Sequence, residues 1–520
     1  MRSESYWTRL VETATRFLED RKVLCFCIFS LFYILGACGE ASSKPFWFDE
    51  IISWHIAKLP NSSDIWNALK EGIDGNPPLS YFLIRGSHWF FGTGELATRL
   101  PSIMGFWLAL FFLFLIIKKR FGTSIAYIAI LYLCLSASYS YAFEARPYAL
   151  VLACSCASLF CWELAIEGHF RRLALIGLAL SLGVALFSHF YATLLFAPLM
   201  AGEAYRSLRS RRLDWPIWIA MLVGATVLIP LIPMMLKLRE YSGFFWGKPT
   251  KGMFLESINW FFFDPLLLCF YVAGCVIGLP KAGYSSALEK RNELVGWNVP
   301  SHELVAAITL MLLPVVCFVL AKLVTHAFTY RYFIPTAIGI ALGLAFLYQR
   351  LLRGHLFVTA ALLVTLLIVF TVRQGVDVRG FVSKKSDLVA NKIASVLSAA
   401  GDSPVVLTHP MVYLLGMHYA SPGLQSRLWY LIDLKAVRKS GVDTSDRNLE
   451  GLRKWVPMRV EDHRSFLLLH NHFYLYGPPV SWQIRRFQEE GVQFKVKSIE
   501  EKGVMLLEVF VNDSLSRKAK

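Results

Sequence analysis

The chain has 520 residues, of which 55% are hydrophobic and only 17% charged, where a soluble domain carries about 25% charged residues. With a mean hydropathy of +0.48, that balance excludes an ordinary soluble enzyme and implies a mainly α, polytopic membrane protein. The net charge of +16 is explained by Lys and Arg holding cytoplasmic loops against anionic lipid. No zinc-finger spacing or RNA-binding signature accompanies it, so nucleic acid is not an expected partner.

Arg2, Arg9, Arg16, Arg21 and Lys22 precede the apolar run 23–41. That run is close to the roughly 20 residues that span a bilayer, and its basic flank makes the N-terminus cytoplasmic. Leu35-Gly36-Ala37-Cys38 loosely matches a lipoprotein cleavage box, but the length of the run favours a retained helix. All ten cysteines fall in apolar segments, so neither a structural disulfide nor a cysteine metal site is expected.

Phe46-Trp47-Phe48-Asp49-Glu50-Ile51-Ile52-Ser53-Trp54 then emerges on the outer side. Adjacent carboxylates beside a membrane are costly to dehydrate and read as functional by default. The plainer alternative is an interfacial helix start, with acids at its N-terminus and tryptophans at the headgroups. An amphipathic helix is expected over 49–59. A second is capped by Ser62-Ser63-Asp64 and runs to about residue 72. Asp74-Gly75-Asn76-Pro77-Pro78-Leu79-Ser80-Tyr81 follows. The segment 77–91 is short for a span and contains Arg85 and His88. The next span, 100–117, ends in Lys118-Lys119-Arg120, which faces inward only if 77–91 lies flat on the outer surface.

The same rule places further spans at 123–141, 148–166, 173–187, 192–205, 216–236, 262–279, 304–324, 333–348 and 356–371, about eleven in all, with the C-terminus outside. From about residue 375 the composition turns polar. Residues 387–399 have helical periodicity, 404–408 and 466–469 read as strands, and 492–499 with 504–511 flank a hairpin at Glu500-Glu501-Lys502-Gly503. The expected organisation is a transmembrane domain over 1–374, with an outer loop 42–98 carrying interfacial helices, and a small extracytoplasmic α/β domain over 375–520. Internal repeats are absent.

The unusual polar residues gather on the outer side: Asp49, Glu50, Asp74, Asn76, Glu144, Arg146, His189, Tyr191, Tyr330 and Arg331. The inner loops hold simple Lys and Arg clusters, and the spans look nearly free of acids. These residue types suit transfer at the headgroup level. A carboxylate takes the proton of an acceptor hydroxyl, arginines hold a phosphate through paired hydrogen bonds, and a phosphate leaving group needs no general acid. Each also has a plainer reading: a helix-terminal charge for Glu50, a snorkelling Arg146, a satisfied interfacial His189, a helix-capping Asp74.

At Phe48-Asp49-Glu50, the 74–81 motif, Arg99-Leu100-Pro101-Ser102, Glu144-Ala145-Arg146-Pro147-Tyr148-Ala149 and Arg331-Tyr332-Phe333-Ile334-Pro335, the chain resembles the polyprenyl-phosphate-sugar glycosyltransferases of the GT-C fold. That superfamily includes the dolichyl-phosphate-mannose–protein mannosyltransferases, the lipid A aminoarabinose transferases and the galacturonosyl transferases of lipopolysaccharide core (glycosyltransferase family 39-like). The resemblance covers roughly residues 20 to 350. It implies an enzyme of the bacterial inner (plasma) membrane, with its active site and C-terminal domain extracytoplasmic. It would move a sugar from a polyprenyl-phosphate donor to a lipid, glycan or protein acceptor. It implies catalytic roles for Asp49 and Glu144 and donor-phosphate binding by Arg331; the outer-side placement of the other polar residues adds Glu50 as a catalytic candidate, Arg146 and Tyr330 as phosphate-binding candidates, and Asp74, Asn76, Tyr81, His189 and Tyr191 as substrate-binding candidates. Asn76 stands where many relatives carry His, which counts against a metal or acceptor role at that position; a divalent metal is the one cofactor left open. The rival is a transporter or flippase, whose signature is charge in mid-span and interrupted helices.

Overall fold

The computed structural model describes residues 6–240, 243–262, 299–351, 356–386, 400–439, 442–500 and 503–511. The span expected at 262–279, beyond its first residue, and the helix expected at 387–399 lie outside the described residues. The chain divides into two compact units. The first comprises 1–42, 96–231 and 247–378, and the second 43–95, 232–246 and 379–520.

The first unit is helical, since in hydrocarbon every backbone N–H and C=O must be satisfied within the segment. Among the described residues six helices are long and apolar enough to cross a bilayer, or up to eight if each of two bent pairs is one span. The bent pairs are Thr123–Leu135 with Ala137–Phe143, at 75°, and Ser301–Met311 with Leu313–Thr325, at 53°. The segment read as a span at 192–205 is a 3₁₀ turn, Phe190–Leu195, leading into the helix Phe196–Ser210.

The impression that the spans lack acids does not hold. Arg120, at the end of the helix Glu95–Phe121, pairs with Glu167 at 2.9 Å and with Glu303. Glu203 is wholly buried, accepts from Trp162 Nε1 at 3.0 Å and pairs with Arg206 at 2.6 Å. Glu40 is also wholly buried and accepts from the Tyr139 hydroxyl at 2.6 Å. Apart from Arg206, the partners lie 41 to 183 residues away in sequence, so these pairings are not visible when each segment is read alone.

The second unit contains a six-stranded sheet of order β3-β2-β1-β4-β6-β5, built from β1 Val405–Leu407, β2 Leu428–Ile432, β3 Val460–Asp462, β4 His472–Gly477, β5 Gln493–Ile499 and β6 Met505–Phe510. β1 pairs in parallel with β2 and β4, and β2 with β3. β6 runs antiparallel to β4 and to β5, which confirms the C-terminal hairpin. The parallel pair β1–β2 requires a crossover, supplied by the helix Pro410–Tyr419. One expectation is corrected: residues 466–469 belong to the helix His463–Leu469, not to a strand. A run of four apolar residues fits either state by periodicity. Here Phe466 and Leu467 are buried in the sheet's core cluster beside Phe473 and Phe487.

This unit also holds the 43–95 loop, as the helices Phe48–Ala57, Ser62–Lys70 and Leu79–Phe91. The last has 13 residues and reaches only about 20 Å at 1.5 Å per residue, short of a bilayer core of about 30 Å.

Helix packing in the first unit depends on close approach at glycine. A Cβ on Gly339 would lie 2.7 Å from Leu310 Cβ and 2.9 Å from the Met311 backbone nitrogen. Small residues allow such contacts between membrane helices, and filling the space costs about 1–3 kcal/mol. Gly339→Val is therefore expected to lower the yield of monodisperse protein by size-exclusion chromatography. Gly380→Val, where a Cβ meets nothing within 4 Å, should leave it unchanged.

Candidate active site

The candidate residues fall into one group in each unit. In the second unit, Trp47 has an extended backbone (φ −104°) immediately before the helix Phe48–Ala57. Glu50, at the third helical position, accepts from the Trp47 amide at 3.3 Å. Its side chain is wholly buried and satisfies an amide that would otherwise lack an acceptor at the helix start. Asp49 sits one residue earlier, about 100° away around the helix, and is half-buried. The acid pair thus divides into a capping group and a more accessible carboxylate.

Asp74 does not cap the following helix. Its Oδ1 accepts from the Gly75 amide at 2.6 Å and from Asn76 Nδ2 at 3.3 Å, and its Oδ2 accepts from the Tyr81 hydroxyl at 2.7 Å. Asp74, Asn76 and Tyr81 therefore form one hydrogen-bonded station, with Asp74 as the acceptor at its centre. Arg85 turns back to donate to the carbonyls of Leu59 and Pro60, the latter at 2.6 Å.

In the first unit, the 3₁₀ segment Ala137–Phe143 delivers Glu144 in extended conformation (φ −122°, ψ 134°). The Arg146 amide donates to the Glu144 carbonyl at 2.7 Å. Ser102, from the Arg-Leu-Pro-Ser motif, donates to the Arg146 carbonyl at 3.2 Å. That motif braces the turn. Pro147 then leads into the helix Tyr148–Glu167.

Aromatic rings surround this turn. Tyr148 lies 4.7 Å from Tyr141 and 5.4 Å from His189, and His189 lies 5.4 Å from Tyr332, between ring centroids. Tyr191 stacks on Tyr332 at 4.0 Å and donates to the Ala327 carbonyl at 2.5 Å. Tyr330 stacks on Trp260 at 4.6 Å. The Arg331 guanidinium lies 5.9 Å from the Tyr148 ring centroid. Glu144, Arg331 and Tyr330 all act electrostatically on the Tyr141 hydroxyl. Glu144, Arg146, His189, Tyr191, Tyr330 and Arg331 are thus brought together. His189 Nδ1 accepts from the Tyr191 amide at 3.1 Å, which leaves Nε2 as the ring's donor. The Tyr332 phenol is pushed well above its ordinary value, first by desolvation and then by the Tyr148 and Tyr191 phenols. It is a hydrogen-bond donor rather than a base.

Several positioning residues gave no signal in the sequence. Gln374 Nε2 donates to the Tyr139 hydroxyl at 2.8 Å, and Tyr139 donates to Glu40. Arg373 donates to the Leu135 carbonyl at 2.5 Å and the Ser136 carbonyl at 3.2 Å, where the helix Thr123–Leu135 breaks. Together they fix the 3₁₀ segment that ends at Glu144. Among the described residues no three His, Cys, Asp or Glu side chains are grouped as a metal site. No step below is routed through a divalent metal.

The histidines of the second unit set a pH dependence. His55 is pushed down to about 3 by burial, then by the nearby His418 and Lys58. Burial likewise lowers His88 to about 4 and depresses His418. A histidine with a depressed folded value stays neutral while the unfolded chain takes up a proton, so stability falls as pH drops below about 6.5. Amide protection of residues 48–57 in hydrogen exchange is expected to weaken from pH 7.5 to pH 5. His55→Phe should flatten that slope, and an unchanged slope would remove His55 as its source.

Residues 75–236 match the family model described as dolichyl-phosphate-mannose-protein mannosyltransferase. No curated protein matches the sequence. The fold is similar to that of ArnT from Cupriavidus metallidurans bound to undecaprenyl phosphate, with a TM-score of 0.55 and 13% identity over 94% of this chain and 97% of that one. It is similar also to ArnT in the apo state, with a TM-score of 0.52 and 12% identity over 94% and 98% of the two chains. The fold is therefore GT-C, and the mannosyltransferase family model covers about a third of the chain.

Proposed function

We propose that the chain transfers a sugar from a polyprenyl-phosphate-linked donor to a lipid, glycan or protein acceptor on the extracytoplasmic side of the bacterial inner membrane. What carries this reading is the fold, which it shares with an ArnT structure that holds undecaprenyl phosphate. In the proposed reaction an acceptor hydroxyl attacks the anomeric carbon. The bond from that carbon to the phosphate oxygen breaks, the polyprenyl phosphate leaves with the electron pair, and Asp49 takes the hydroxyl proton. Asp49 is preferred to Glu50 because the Glu50 carboxylate is engaged as a helix cap. Arg331 holds the donor phosphate and stabilises its growing charge, with Tyr330 and Arg146 beside it. Glu144 orients the acceptor, and Asp74, Asn76, Tyr81, His189 and Tyr191 bind substrate. Glu303, Glu203 and Glu40 are held by arginine or by ring donors, so these three do not favour the transporter rival.

Comparing the glycolipids and glycans of cells with and without the gene by mass spectrometry identifies sugar and acceptor. A positioned base contributes about 10²–10⁴ in rate, so Asp49→Asn is expected to lose that much turnover while binding undecaprenyl phosphate normally. Near-normal transfer would remove Asp49 from the reaction. Arg331→Ala should weaken undecaprenyl phosphate binding, and Arg331→Lys should restore it only in part, because lysine lacks the planar fork. For the orientation, a Gly94→Cys variant in a background without other accessible thiols should react with an impermeant thiol reagent applied to intact cells. Reaction only after permeabilisation would invert the proposed topology.

A further inference from the structure

The polar C-terminal region carries no catalytic motif, yet it falls in one compact unit with the 43–95 loop. The contacts that join them are specific. The Phe46 amide donates to the Tyr419 hydroxyl at 2.6 Å, across 373 residues of chain. The same hydroxyl donates to Glu95 Oε1 at 3.3 Å, so one oxygen ties both ends of the loop. Beside it the His418 ring meets Phe46 edge-on at 5.4 Å and Trp54 at 4.9 Å. A second connection lies at the other polar station. Asn448 Nδ2 donates to the carbonyl of Ile73, the residue before Asp74, and Trp455 Nε1 donates to Glu71 at 3.2 Å.

The geometry of these residues follows from the fold. Tyr419 and His418 end the helix Pro410–Tyr419, which crosses between the parallel strands β1 and β2. Earlier in that helix Tyr413 and Leu414 are wholly buried, and the Tyr413 ring packs on Tyr430 of β2 at 5.7 Å. The helix cannot shift without disturbing the sheet core. Phe46 itself is buried and lies three residues before Asp49, immediately ahead of the Trp47 cap. Its amide is tied to Tyr419 two residues before the helix that carries Asp49 begins.

We propose that Tyr419 and His418 are positioning residues for Asp49, and that the C-terminal domain serves transfer by setting the start of the helix Phe48–Ala57. This rests on the proposed role of Asp49 as the base. It gives the domain a function that requires no catalytic group of its own. A displacement of about 1 Å at a reacting group costs about a hundredfold in rate, which is the scale that loss of one fixed point can reach.

The test uses the full-length protein in detergent with solubilised membranes from cells lacking the gene as the source of both lipid-linked sugar and acceptor, and turnover is read as undecaprenyl phosphate released. Tyr419→Phe removes the hydroxyl and keeps the ring. It is expected to lower kcat roughly ten- to a hundredfold with KM and undecaprenyl phosphate affinity unchanged. Amide protection in residues 48–57 should fall while that of the sheet holds. In an Asp49→Asn background the same substitution should cost nothing further. Full turnover of Tyr419→Phe, or an equal loss in both backgrounds, overturns the proposal. Should Tyr419→Phe fail to fold, His418→Ala should reduce kcat and His418→Phe should restore it. An active His418→Ala with unchanged protection of 48–57 overturns the proposal equally. Near-normal turnover of Asp49→Asn alone would instead count against the reading of Asp49 as the base, and it is seen before Tyr419 is altered.

Discussion

Where a helix ends without water, its last carbonyls must find a donor, and in this chain arginine and tyrosine side chains supply it. Four carbonyls at a helix C-terminus have no partner within the helix, and each left buried and unpaired costs about 1–3 kcal/mol. Arg99, wholly buried, donates to the Ala41 carbonyl at 2.6 Å, near the end of the helix Lys22–Ser43. Arg373 covers Leu135 and Ser136 at the 75° bend. Arg85 covers Leu59 and Pro60 just after the helix Phe48–Ala57. Tyr191 reaches the carbonyl of Ala327 beyond the turn at Thr325. A cation at a helix C-terminus also complements the macrodipole. The chain can therefore break its helices, and the breaks are where its polar side chains are presented.

That constraint changes what an arginine means in a sequence of this kind. Read segment by segment, an arginine near an apolar run is a snorkelling group, an inward-facing loop charge or a phosphate ligand. Arg99, Arg85 and Arg373 are none of these. Each is held by a carbonyl between 25 and 238 residues away, or by two of them. Arg331 and Arg146, proposed above to meet the donor phosphate, belong to the turns bearing Tyr330 and Glu144. The carboxylates sort in the same way: Glu50 is a cap, Glu203 and Glu303 are paired with arginine, and Asp74 organises its own loop.

Much of the architecture was legible because it rests on local signals. Helix starts at Asp49 and near Ser62, the short helix that ends at Phe91, the strand at 405–407 and the C-terminal hairpin all follow from period, capping and turn chemistry. The ordered polar motifs brought Glu144, Arg146, His189, Tyr191, Tyr330 and Arg331 into view, and all six are gathered in one unit. What stayed hidden depends on pairing at long range. The network of Glu40, Tyr139 and Gln374 links three helical segments separated by about a hundred residues or more, and none of the three stands out by itself. The division of the chain was equally invisible. Composition separates residues 375–520 from everything before them, whereas side-chain contacts group that region with the 43–95 loop.

The two groups of candidate residues use one physical device in different materials. On the Glu144 side, a buried hydrogen-bonded chain runs from Gln374 through the Tyr139 hydroxyl to Glu40, and it fixes a 3₁₀ segment that no regular helix bonding would hold. On the Asp49 side, a tyrosine hydroxyl again accepts from one group and donates to another, taking the Phe46 amide and giving to Glu95. A hydroxyl that donates and accepts at once has a defined direction on both sides, because rotating it to improve one bond loses the other. It therefore fixes the backbone beside it more tightly than a single donor would. Each carboxylate proposed for the reaction follows such a point by only a few residues, five from Tyr139 to Glu144 and three from Phe46 to Asp49. A short tether to a doubly bonded hydroxyl restricts a side chain that must itself stay accessible. Accessibility rules out packing as the means of holding it, so the constraint has to come through the backbone.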